Sequence, residues 1–460
     1  MNSIFRNALM IAGGLMLALG SFTLRSHAAA EKGGTILQRI SELEQQVQDL
    51  QKKNNKLNKK LKYMTVVEGE INGLAGPHVI FEGCNVHVRS GSGDTSDGTV
   101  DLGEGAPNET PRGLGNLIVG YNENPEFSPA DRYGSHNLVV GPGHNYTSVG
   151  GAVFGHENKT TGAFASAIGG SGNWASGLES SVSGGAGNTA VGLQTSVSGG
   201  GGNVASGLQS SISGGAANTA SGITSSVSGG AANSATGLYA TVSGGASNTA
   251  SAESASVSGG MSNKASSASS SVSGGAVNEA KEAYASVSGG AENVASGEFS
   301  SIGGGNENMA SNDYASVSGG ASNEATGKNA SVSGGYSNEA VAQYSSVSGG
   351  AANEASGDYS SVSGGEGNTA SGARSSVSGG SENDATNTGA SVSGGNKNTA
   401  SGVNASVSGG LSNIANNENA SVSGGESCTA SGKSSSVSGG FSRESDGQHD
   451  WRGGGVVQDI

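Results

Sequence analysis

The sequence predicts an all-β fold: a parallel β-solenoid, or β-roll, of 15-residue repeats preceded by a short α-helical coiled coil. Three observations lead there. From Gly169 to Gly440 a Gly-Gly pair recurs every 15 residues without one insertion, 19 pairs in all, and such constancy means stacked coils. With 84 glycines and 4% aromatic residues in 460, the chain cannot fill a conventional thick core, so its core must be thin and repetitive. Ahead of the repeats, apolar residues alternate at spacings of four and three, the period of a coiled-coil seam.

Taken in chain order, residues 1–30 carry Arg6, an apolar run from Ala8 to Leu19 and small residues ending in Ala28, Ala29 and Ala30. This is the layout of a secretory signal peptide. An uncleaved anchor is the other reading, but the run is short for a membrane span. Residues 31–64 form the coiled coil, with Ile36, Ile40, Leu43, Val47, Leu50, Asn54, Leu57, Leu61 and Met64 along one seam. One helix cannot bury so narrow a seam, so a homo-oligomer is expected. β-Branched Ile40 and Val47 at a, leucines at d and a single Asn54 at a lean towards a parallel dimer. Residues 65–150 read as a β adaptor with irregular lead-in coils, residues 151–440 as the solenoid, and residues 441–460 as a cap or tail.

The repeat, S-V-S-G-G-x-x-N-x-A-S-G-x-x-S from Ser181, has a physical reading in each column. The Val182 column is Val or Ile in 18 repeats through Val437, and the Ala190 column is Ala from Ala175 through Ala430. These two columns are the expected core, with Ser181 and Ser183 facing out by strand alternation. The Asn188 column, constant from Asn173 through Asn413, predicts a ladder of amides bonding their own turn and the coils above and below. Cys428 and Arg443 interrupt it, so fraying is expected after about residue 440. The Gly192 column, replaced by Asn312, Asn387 and Asn417 among others, reads as a turn with left-handed backbone. At about 4.8 Å per coil the repeats would make a rod on the order of 90 Å long.

Ser166-Ala167-Ile168-Gly169 and Ala152-Val153-Phe154-Gly155 resemble the S-x-A-I-G coil motif of YadA-like trimeric autotransporter adhesin heads. The likeness extends less clearly to 116–120 and 137–141. It implies a left-handed β-roll, a trimer rather than a dimer, display outside a bacterial cell, and binding of extracellular matrix proteins, glycans or other surfaces. Two departures stand against full transfer. The family repeat is commonly 14 residues rather than 15, and the 20 residues after Gly440 are too few for that family's membrane barrel, so its means of surface attachment is not expected here.

The composition also argues against several kinds of chemistry. Net charge is −15; residues 1–30 contribute +2 and residues 31–64 contribute +4, leaving −21 for the remainder, which repels nucleic acid. All seven histidines lie outside the repeats between Gly170 and Gly440, so the serines lack a base and no catalytic residue is expected. His136, His144 and His156 are poor candidates for zinc, the Asn column lacks the aspartate a calcium-binding repeat needs, and Gly432-Lys433-Ser434 is a repeat turn rather than a phosphate loop. No cofactor or metal is expected. Cys84 and Cys428, far apart in the chain, are expected to be free thiols rather than a disulfide.

One column carries a candidate binding surface. Tyr239, Tyr284, Phe299, Tyr314, Tyr344 and Tyr359 all stand two residues before the outward serine. They would face outward and either stack on sugars, meet a protein partner or pack on one another. The function expected is that of a secreted or cell-surface, adhesin-like structural protein, located in the extracellular space, on the cell surface or in the periplasm. Two alternatives use other features. The outward serines could bind ice or mineral, and scattered acids such as Glu282, Glu298, Asp313 and Asp358 could serve a carbohydrate-binding or carbohydrate-active β-helix.

Overall fold

The computed structural model describes residues 33–95, 112–126 and 128–453. The signal segment and part of the Gly/Asp/Ser-rich loop expected near Gly91 to Gly98 lie outside the described residues. The chain divides into two units, Met1–His87 and Val88–Ile460.

In the first unit, helix α1 (Gly33–Lys60) ends on Lys59 and Lys60, cations suited to the negative end of the helix dipole. Leu61 still donates its N–H to the Leu57 carbonyl at 2.9 Å, but Met64 begins strand β1. The helix therefore carries the seam only from Ile36 to the last-turn Leu61; Met64 belongs to a hairpin instead. β1 (Met64–Val67) pairs antiparallel with β2 (His78–Phe81), Met64 opposite Phe81 and Val67 opposite His78. The expected adaptor of residues 65–150 is thus divided between the two units, its hairpin falling with the helix and its lead-in coils with the solenoid.

The second unit is a parallel β-solenoid. One ladder runs from β3 (Leu117–Val119) through β4 (Leu138–Val140), β6 (Ala152–His156), β8 (Ser166–Ser171) and β10 (Ser181–Val182). It continues in one register to Trp451–Arg452. A second ladder of 21 strands starts at β5 (Asn145–Tyr146), β7 (Lys159–Thr160), β9 (Trp174–Ala175) and β11 (Thr189–Ala190). A third line of single bridges joins Ser171, Ala186, Gly201 and their successors. Winding continues past residue 440 through Glu444–Ser445 to Arg452. Ser445 takes the buried alanine position there and gives its hydroxyl to Asp450. Interruption of the amide ladder does not end the coil, because the strand ladders continue independently of it.

The coil lengthens along the chain. Leu138 pairs with Ala152 and Ala152 with Ser166, a spacing of 14, whereas Ser166 pairs with Ser181, a spacing of 15. The register shifts between Phe154 and His156, where the second glycine of the pair enters. That glycine is required by its surroundings. Gly290 has φ +86°, and a Cβ there would lie 2.0 Å from the Gly305 carbonyl oxygen and 2.6 Å from Asn293 Nδ2. Its neighbour Gly289 faces open space.

Val182 and Ala190 are fully buried, as are their equivalents. A third inward column escaped the period-2 argument: Ser180, Thr195, Ala240, Ala255 and equivalents are also buried. Only small residues fit, and several hydroxyls close on the turn, as in Ser225 Oγ to the Gly222 carbonyl at 2.8 Å. The asparagines are buried beside them. Each Oδ1 accepts the next asparagine's backbone N–H, and each Nδ2 donates to two glycine carbonyls. For Asn188 these distances are 3.0 Å to Asn203 N, 2.9 Å to Gly184 O and 2.9 Å to Gly200 O. The ladder is mainly side chain to backbone, with amide-to-amide contacts in fewer coils.

The turn chemistry differs from expectation. Gly192 does not have positive φ; the left-handed residue is Gln194, two positions later, with φ 55°. Gly192's column is instead close to the neighbouring backbone, a Cβ meeting Gly207 O at 2.6 Å. Most glycines in this column also share the Ala carbonyl of the next coil, as Gly207 N does with Ala220 O at 3.3 Å. Asparagine reaches the next coil with its side chain: Asn387 Nδ2 donates to Ser401 O at 3.0 Å, while its Oδ1 accepts from Thr388 N at 2.8 Å.

Candidate functional site

The aromatic column lies on this left-handed turn. Tyr239, Tyr284, Phe299, Tyr314, Tyr344 and Tyr359 have φ between 57° and 59°, a conformation that costs an L-residue about 1–2 kcal/mol. A coil-to-coil hydrogen bond offsets part of that cost. Tyr314 N donates to Glu298 O, Tyr344 N to Lys328 O and Tyr359 N to Gln343 O, each at 2.9 Å. The turn, rather than strand alternation, points the rings outward, and the residue that follows each ring is buried.

Because the backbone repeats, the rings align. Tyr284 and Phe299 stack with centroids 4.7 Å apart and planes at 0°, and Phe299 and Tyr314 at 5.0 Å and 6°. Tyr344 and Tyr359 stack at 4.8 Å and 15°. They remain 40–56% exposed, so packing on one another and facing solvent are both realised: faces meet along the solenoid axis while edges point to water. Tyr239 has Thr224 and Ser254 as column neighbours and stands alone. A second exposed apolar line, Leu178, Leu193, Leu208 and Ile223, occupies the adjoining column of earlier coils.

The serine array is half as open as expected. Ser183 is exposed, but Ser181 is only half exposed, as are their equivalents in most coils. Among the acids singled out from sequence, Glu298 and Asp313 lie in one column on adjacent coils, Asp358 lies three coils beyond Asp313, and Glu282 belongs to the Gly192 column. Asp313 is paired with Lys328 at 3.2 Å.

Sequence reasoning missed a more regular carboxylate line on the second ladder. Glu324, Glu339 and Glu354 are in direct register on consecutive coils. Burial, and then the charges of its two neighbours, raise the Glu339 carboxyl above the ordinary glutamate range. Glu279, in the same column, is lowered, chiefly by its hydrogen bond from Lys281 at 2.7 Å. The 15-residue spacing of these glutamates was visible, but the variable column was read as surface.

The three histidines singled out do not converge. His144 is buried in the lead-in coil and takes the asparagine's place: Nδ1 accepts from Asn158 N at 3.1 Å and Nε2 donates to Val140 O at 3.0 Å. Burial lowers its pKa below the usual 6.5. His136 Nε2 accepts from Ser90 N at 3.1 Å, and His156 contacts Ser171. Among the described residues no group of three or more His, Cys, Asp or Glu could hold a metal. Cys428 is buried in the asparagine ladder and Cys84 is exposed, both as free thiols.

On α1 the seam is open to solvent on the single chain, with Ile36 57%, Leu43 57%, Leu50 63% and Leu57 51% exposed. Ile40 and Asn54 are also exposed, and Val47 is half-buried. No described helix is long and apolar enough to cross a membrane. Comparison of the chain with protein-family models and with curated proteins finds no match.

Proposed function

We propose that this chain is an exported, non-enzymatic structural protein of adhesin-like type, trimerised through the residue 36–64 seam and presenting its solenoid as an extended binding surface. The observation that supports this best is the stacked, exposed aromatic stripe. Repetition on an unvarying backbone turns one outward residue per coil into a continuous line, a form suited to an extended partner rather than a small enclosed ligand. The open leucine seam supports self-association, since isolated apolar stripes on helices are buried by partners. The trimer and the matrix-protein or glycan ligands come from the YadA-like resemblance of residues 152–169.

Light scattering of the native chain is expected to give the mass of three protomers, and polar replacement of Leu43, Leu50 and Leu57 together is expected to give monomers. Adhesion of the native chain to arrayed matrix proteins and glycans should weaken when Tyr284, Phe299 and Tyr314 are replaced by serine. A monomeric native protein that adheres to nothing on the array would overturn the proposal.

A further inference from the structure

The aromatic run is interrupted at one coil. Going up the column, Tyr284, Phe299 and Tyr314 form one stack and Tyr344 and Tyr359 another, with Asn329 between them. Asn329 has φ 59°, against 58° for Tyr314 and 57° for Tyr344, and its N–H donates to Asp313 O at 2.9 Å, as each ring residue's does to the coil before. The backbone therefore continues unchanged through the gap, and only the ring is missing. Tyr314 and Tyr344 stand two coils apart, about 9.6 Å at the spacing of paired strands. That leaves about 4.8 Å from each ring plane to a ring centred between them, within the range of stacked rings.

We propose that this gap is a sugar clamp: one pyranose ring of a glycan stacks between the facing surfaces of Tyr314 and Tyr344, over the short amide of Asn329. This rests on the reading of the stripe as a binding surface and names its ligand class. A sugar fits better than a flat aromatic molecule because the gap is bordered by polar groups. The column beside it carries the Asp313–Lys328 pair at 3.2 Å and then Gln343, and the column on the other side carries half-exposed Ser331. Amide, ammonium, carboxylate and hydroxyl groups can exchange hydrogen bonds with ring hydroxyls, while the apolar C–H faces of the pyranose meet the tyrosines. Within the stacks the ring faces are already occupied; at this gap two of them remain free on opposite sides of one ring-sized space.

The test is saturation-transfer NMR of the intact protein with a panel of soluble hexose and N-acetylhexosamine oligosaccharides, with thioflavin T as a planar aromatic control. Asn329→Tyr completes the ladder with a residue this turn already accepts in five other coils, so the fold is kept while the gap is filled. A sugar signal in the native chain, retained in Asn329→Ser and weakened about tenfold or more in both Asn329→Tyr and Tyr344→Ser, is the expected result. Equal sugar binding by Asn329→Tyr would overturn the clamp and leave only an edge-on stripe. Absence of any sugar signal, whether or not thioflavin T binds, would also overturn it. Adhesion to matrix proteins alone would then leave the broader proposal standing.

Discussion

Replacing Asn293 by alanine tests the feature on which the solenoid's interior most depends. Asn293 Oδ1 accepts from Asn308 N at 3.0 Å, and Nδ2 donates to Gly289 O at 2.9 Å and Gly305 O at 3.0 Å. Gly305 O keeps a second partner, Ala291 N at 2.9 Å, and half-exposed Gly289 can turn to water. The N–H of Asn308 has no such recourse, because that residue is buried. One orphaned buried donor and the lost bonds together cost about 3 kcal/mol, close to a hundredfold in a local opening equilibrium. In a stack where each coil touches only its neighbours the effect should stay local. Native-state hydrogen exchange should therefore show protection falling about a hundredfold in the coils next to residue 293 and little change several coils away. Unchanged protection around Asn308 would refute the reasoning, and so would a uniform loss along the whole solenoid.

The two glycines of a repeat should behave differently. Gly290→Ala meets the Gly305 backbone at 2.0 Å with φ +86° and should destabilise its coil by about 3 kcal/mol or more, whereas Gly289→Ala, facing open space, should change hydrogen-exchange protection by less than about 1 kcal/mol. His144 gives a pH dependence. Its pKa is lowered by burial in the folded chain, so the unfolded chain binds the extra proton. The stability it contributes is complete above about pH 6.5 and is lost as pH falls below that value. Protection of the lead-in coils should drop between pH 7.5 and 5 more in the native chain than in His144→Asn, which keeps an amide in the ladder position; equal drops would remove histidine as the cause.

Much of this architecture is legible in the residues because a solenoid repeats its environment. Val182, Ala190 and Asn188 recur at a fixed spacing since each coil offers the same pocket to the same side chain, and that constancy predicts stacked coils, two apolar columns and the amide ladder. Where a column varies, the reading weakens. Ser180 and its equivalents alternate between serine, threonine and alanine, so small size, the property selected, was hidden by mixed polarity. Glu324, Glu339 and Glu354 share a column with threonines, valines and lysines, and their line on the surface emerges only once the register is known.

The sequence by itself determined the period, the solenoid class, the inward Val and Ala columns and the outward placement of the aromatic residues. Only the tertiary structure decided which turn residue is left-handed, why the second glycine is irreplaceable, that His144 stands in for an asparagine, and that the rings form two stacks parted by Asn329. The physical reason is that periodicity reports which residues share an environment, whereas φ angles, carbonyl approaches and ring separations are set by the backbone of the neighbouring coil.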